Sequence, residues 1–117
     1  GFFLMVEGSQ VDWGGHNNDG EYLVSELIDF DTVIGQVLDY AAKDGNTLVV
    51  VTADHETGGF TLASDEGDYS KISPSFSTGG HSATMVPVFA YGPGAAEFMG
   101  IYENTAIYSK IKALIKE

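Results

Sequence analysis

The sequence predicts an α/β fold. Phe2–Phe3–Leu4–Met5–Val6 and Thr47–Leu48–Val49–Val50–Val51–Thr52 are continuous runs rich in apolar and β-branched residues. Such runs are typical of strands buried on both faces of a parallel sheet. Between them Leu23, Leu27, Phe30, Ile34, Val37, Leu38 and Ala41 recur at three- and four-residue spacing, aligning one apolar helical face. Strand, amphipathic helix and strand make a βαβ unit with a right-handed crossover. Both strands then run the same way, so Glu7 and Asp54–His55 emerge at one sheet edge, where open α/β sheets place their ligands.

Each element has a local reason. The loop after the first strand is rich in Gly, Asn and Asp as far as Gly20, and the helix is expected over about residues 21–43. Asp19 suits its start, Glu21 its positive end, Lys43 its negative end, and Gly45 can stop it. Gly59 to Ala63 reads as a short strand, and residues 64–80, rich in Ser, Asp and Gly, as a surface excursion. Met85 to Tyr91 reads as a strand in which Pro87 argues against a central position. Running antiparallel would start that strand at the ligand edge, within reach of His81. Gly92–Pro93–Gly94 turns the chain, and Ala95 to Met99 forms a short helical turn. A last helix capped by Asn104 should carry Ile107, Ile111, Leu114 and Ile115 inward, with Lys110, Lys112 and Lys116 near its negative pole.

Composition removes several functions. The 117 residues fit one domain or part of one, with 44% apolar content for a core. A net charge of −12, from 17 acids against five lysines and no arginine, repels nucleic acid and anionic membrane. Without arginine the chain cannot supply the bidentate guanidinium that phosphate-handling sites favour. The absence of cysteine rules out disulfides and thiolate metal sites. No stretch resembles a signal peptide, and no apolar run is long enough to span a bilayer. Because the chain opens inside a strand-like run, it reads as a fragment whose preceding half is absent.

All three histidines lie in acid-rich or glycine-flanked segments: Glu7 to His16, with Asp12 between; Thr52–Ala53–Asp54–His55; and Gly79–Gly80–His81. Imidazole with carboxylate suits zinc, and carboxylate oxygen suits magnesium. The pattern points to a metal cluster and hydrolytic chemistry. Asp12 and His16 have the i, i+4 spacing of one helical face, but Gly14–Gly15 argues for a loop. The bland alternatives are a hydrogen-bonded Asp–His pair, a plain Gly–Gly–His loop and a solvated Glu7. The convergence of two segments on one edge favours the metal.

Phe2 to Gly8, Asp12 and His16, Val51 to His55, Gly80–His81 and Val86 to Pro93 together resemble the carboxyl-terminal half of an alkaline phosphatase, in order and over nearly the whole chain. The resemblance implies a three-layer α/β/α sandwich with a mixed, mostly parallel sheet. Residues 1–117 would be the carboxyl-terminal portion of a single such domain. It implies two zinc ions and one magnesium, with Asp12, His16 and His81 on one zinc, Asp54 and His55 contributing to the second, and Glu7 to magnesium. Trp13 would stand near the metals and tune them, or simply pack.

In the complete enzyme the resemblance implies hydrolysis of phosphate monoesters through a phosphoserine intermediate. The nucleophilic serine and phosphate-binding arginine would lie upstream, so this chain should be inactive alone. It further implies a homodimer, partnership with the missing amino-terminal half, and a periplasmic or secreted setting. Alternatives are a related metal-dependent phosphomutase, phosphodiesterase or sulfatase, or a non-catalytic metal-binding module.

Overall fold

The computed structural model describes residues 1–115. Two compact units emerge: residues 1–32 with 55–85, and residues 33–54 with 86 onward. Helix α1 covers Ser9–His16 and α2 covers Gly20–Asp44; strands follow at Val49–Thr52 (β1), Glu56–Thr57 (β2), Thr61–Asp65 (β3), Asp68–Ser75 (β4), His81–Ser82 (β5) and Val88–Tyr91 (β6). A 3₁₀ turn at Ala95–Phe98 and helix α3 at Ala106–Leu114 complete the order.

In the first unit, α1 forms despite its two glycines, so the expectation of a loop is corrected. Packing explains it. Gly14 and Gly15 are buried, and a Cβ at Gly14 would lie 2.8 Å from Leu23 Cα and N. A Cβ at Gly15 would meet Thr57 at 3.0 Å. Only glycine permits these approaches, and the burial they allow outweighs a helix propensity about 1 kcal/mol poorer than alanine's at each position. Asp19 caps α2 as expected, its Oδ1 accepting the Tyr22 N–H at 3.0 Å.

Two antiparallel pairs complete this unit. β2 joins β5 with Glu56 opposite Ser82 and Thr57 opposite His81. β3 and β4 form a hairpin: β3 overlaps the short strand expected over residues 59–63, while the remainder lies where a surface excursion was expected. Its two-residue loop, Glu66–Gly67, has positive φ at both positions (47° and 84°), the signature of a type I′ turn. The hairpin was hard to read because its strands are largely exposed, so alternation leaves little apolar signal. Asp68 accepts hydrogen bonds from the Ser70 hydroxyl and N–H at 2.7 and 3.0 Å, which hold its carboxyl below the ordinary aspartate range.

In the second unit, β1 pairs antiparallel with β6, from Val49 opposite Tyr91 to Thr52 opposite Val88. The strand begins just after Pro87, which lacks a donor for the ladder. Gly45, at φ 72°, ends α2 as predicted. Helix α3 half-buries Ile107, Ile111 and Leu114, but Ile115 is exposed. No side chain caps α3; Asn104 contributes its carbonyl to the Ile107 N–H instead. Lys110 does not serve the helix's negative end, because its ammonium donates to the Glu97 carbonyl at 2.6 Å and lies 4.3 Å from the Tyr102 ring centre. Lys116 lies outside the described residues.

Phe2–Val6 form no strand, and the described residues contain only antiparallel pairs. The expected parallel βαβ pairing is thus not made within these residues. A strand needs a neighbour to satisfy its backbone, and none of the described strands pairs with this run. Among the described residues, Leu23, Ala41 and Phe98 are the buried apolar ones, at 2–6% exposure, while Phe2 to Val6 are 56–81% exposed. Along α2 the predicted face is covered at Leu23, Phe30, Ile34, Leu38 and Ala41, and open at Leu27 and Val37. An exposed apolar row of this length drives association. In sedimentation velocity the chain is expected to run heavier than a single copy and to shift with concentration. A sharp, concentration-independent monomer boundary would contradict this.

Candidate metal centre

The first unit gathers Asp12, His16, His55 and His81. One turn of α1 puts Asp12 and His16 on the same face, His55 leads into β2, and β5 carries His81 opposite Thr57. Asp12, His55 and His81 each offer one ligand atom, all within 4.8 Å of one another. His16 joins them: its Nε2 lies 3.5 Å from Asp12 Oδ2 and 3.2 Å from His81 Nε2, which is 3.7 Å from Asp12 Oδ1. The His55 ring stacks on that of His81 with centres 3.6 Å apart.

Hydrogen bonding sets the polarity of this cluster. His16 Nδ1 lies 2.8 Å from the Gly79 carbonyl, which can only accept, so Nδ1 carries the hydrogen. In neutral His16 the lone pair is therefore on Nε2, facing His81 Nε2 and Asp12 Oδ2. That lone pair and the carboxylate make the group a suitable receptor for a cation. Donors of a tetrahedral zinc site with bonds near 2.0–2.1 Å stand roughly 3.3 Å apart. The 3.2 Å between the two Nε2 atoms fits that spacing, and the two Asp12 oxygens flank them, Oδ2 at 3.5 Å from His16 and Oδ1 at 3.7 Å from His81.

The scaffold behind these side chains is tied at several points. Gly58 donates its N–H to the Gly80 carbonyl at 2.9 Å, and the Gly58 carbonyl accepts from Ser77 and Thr78. Glu56 accepts from the Ser82 hydroxyl and from the Phe60 N–H. The Ser82 bond leads in holding the Glu56 carboxyl below the ordinary glutamate range, against an opposing push from burial. Thr57 reaches Asp12 Oδ1 at 2.5 Å and His55 Nδ1 at 3.2 Å. Sequence reading passed over Glu56 and Thr57. Their signal was adjacency to Asp54–His55, where two polar residues continue into a half-buried strand.

The remaining predicted residues are not in this group. Glu7 is exposed, immediately before the residue that precedes α1, and falls in no cluster of three possible ligands among the described residues. Asp54 is exposed, at the bend after β1 in the second unit. Trp13, on α1 beside Asp12, is 60% exposed.

Comparison with known proteins identifies the family. The family model for alkaline phosphatase matches residues 1–73. The chain belongs to the alkaline phosphatase family. Alkaline phosphatase 3 of Bacillus subtilis is 32% identical, the match covering 97% of this chain and 40% of the relative. Streptomycin-6-phosphate phosphatase of Streptomyces griseus is 33% identical, over 98% of this chain and 29% of the relative. Among solved structures, the alkaline phosphatase of the Antarctic bacterium TAB5 superposes with a TM-score of 0.93 at 64% identity, covering 96% of this chain and 34% of that one. A variant of the TAB5 enzyme has been solved with magnesium in a site named M3. The chain spans between a quarter and two fifths of the length of such alkaline phosphatases. Its fold is that of the corresponding part of the TAB5 enzyme. None of its described helices is long and apolar enough to cross a membrane.

Proposed function

We propose that this chain is the carboxyl-terminal portion of a single-domain, metal-dependent phosphomonoesterase and supplies most of its metal ligands. The observation that carries this is the convergence of the Asp12 carboxylate with His16 and His81 Nε2 at 3.2–3.7 Å. These three would hold one zinc. Asp54 and His55 would contribute to a second zinc, and Glu7 to a magnesium, for which a carboxylate is a suitable hard ligand. Bound there, paired cations supply Lewis acidity that activates a nucleophile and stabilises the leaving oxygen of a phosphate ester.

The chain's own residues present the donors, fix imidazole orientation through the Gly79 carbonyl, and hold α1 against β2. The phosphoserine nucleophile and the phosphate-clamping arginine belong to the rest of the enzyme, and the sequence here contains no arginine. The chain alone is therefore inactive. In the full enzyme Phe2–Val6 and β1 would enter a larger, mostly parallel sheet in a three-layer sandwich. The same assembly would dimerise and work in the periplasm or outside the cell.

Reconstitution tests the reading. The chain is combined with the part of the TAB5 enzyme that it does not cover, and p-nitrophenyl phosphate hydrolysis is followed with zinc and magnesium. Activity should require both pieces and fall at least about 100-fold in His81→Ala, at or beyond the upper end of an outer-shell change. Undiminished activity in His81→Ala, or preference for an alkyl sulfate, would overturn the assignment.

A further inference from the structure

We propose that Thr57 is a positioning residue that fixes the tautomer of His55, placing the ring hydrogen on Nδ1 and leaving Nε2 for a divalent cation. The inference rests on the metal reading above only for what Nε2 binds. Its geometry stands separately.

The Thr57 hydroxyl has one hydrogen and two close neighbours, Asp12 Oδ1 at 2.5 Å and His55 Nδ1 at 3.2 Å. A carboxylate only accepts, so the shorter contact takes the hydroxyl hydrogen. The Thr57 oxygen is then an acceptor toward His55, and the 3.2 Å contact is a hydrogen bond only if Nδ1 carries a hydrogen. The reverse assignment would set two oxygens at 2.5 Å with no hydrogen between them. The threonine is itself held: its strand pairs with His81, and the backbone of Gly15 packs on its side chain so closely that a Cβ there would lie 3.0 Å away. One hydroxyl thus aligns a carboxylate from α1 with an imidazole that precedes β2. Carboxylate-to-imidazole links of this kind orient ligands and raise their affinity for metal.

The test uses the 117-residue chain labelled with nitrogen-15, compared with Thr57→Val, which keeps the shape, and Thr57→Ser, which keeps the hydroxyl. Long-range hydrogen–nitrogen correlation at a pH well above the ordinary histidine range reads the tautomer of His55 without metal. Isothermal titration with zinc reads affinity. The wild-type chain should show hydrogen on Nδ1. Thr57→Val should lose that preference and bind zinc about 10–100-fold more weakly, with Thr57→Ser restoring both to within about threefold. A wild-type His55 with hydrogen on Nε2 overturns the proposal, as does a Val variant that keeps both tautomer and affinity. Should the Val variant fail to fold by circular dichroism, the wild-type and Ser spectra decide. A wild-type chain with the expected tautomer that binds no zinc supports the Thr57 assignment and overturns the metal reading.

Discussion

Asp12→Ala is expected to remove zinc binding more completely than any other single change in the cluster. Asp12 is the hub: Oδ2 faces His16, while Oδ1 faces both His81 and the Thr57 hydroxyl. On the proposed reading its loss deletes a ligand and releases the group that orients His55. Outer-shell changes alone cost about 10–100-fold in affinity, so the combined loss should exceed about 100-fold by isothermal titration. Asp12→Asn keeps the shape but removes the charge, and its amide can still accept from Thr57 through oxygen. It should fall between wild type and alanine. Equal zinc affinity in all three proteins would exclude Asp12 as a ligand.

Gly14→Ala should destabilise the chain even though alanine is the better helix former. The propensity gain is about 1 kcal/mol. Against it, the new Cβ would sit 2.8 Å from two backbone atoms of Leu23, and backbone cannot swing aside as a long side chain does. Overpacking costs about 1–3 kcal/mol, and contact with main chain belongs at the upper end, leaving a net loss of about 1–2 kcal/mol. Gly35→Ala provides the opposite sign in α2, because nothing lies within 4 Å of a Cβ there. That variant should gain about 0.5–1 kcal/mol. Urea unfolding midpoints compare the two. Gly14→Ala should also weaken zinc binding, since moving α1 off α2 displaces Asp12 and His16 together.

Sequence made helix α2 legible because its signals agree: apolar spacing, the Asp19 cap and the Gly45 stop each rest on local chemistry. The strand at residues 49–52 and its antiparallel partner after Pro87 were legible for the same reason. Helix α1 was not. Its glycines argue against a helix until Leu23 and Thr57, distant in sequence or in another element, press against them. Phe2–Val6 read as a strand because composition reports what a segment can bury, whereas strand formation depends on a neighbour. Among the candidate ligands, every histidine was picked out by context, and the ring of His81 lies against those of His16 and His55. Thr57 was passed over because, apart from its place beside Asp54–His55, a threonine in a strand has no distinctive pattern, and its link to Asp12 spans 45 positions.

Helix α1 begins at Ser9, after Gly8, without a side-chain cap and spans only eight residues, two of them glycine. Such a segment has little intrinsic tendency to stay wound. A cation gripping Asp12 and His16 would bridge successive turns, so part of its binding free energy would become resistance of this helix to unwinding. Amide exchange along residues 9–16 would then slow as zinc is added, making local order a gauge of occupancy.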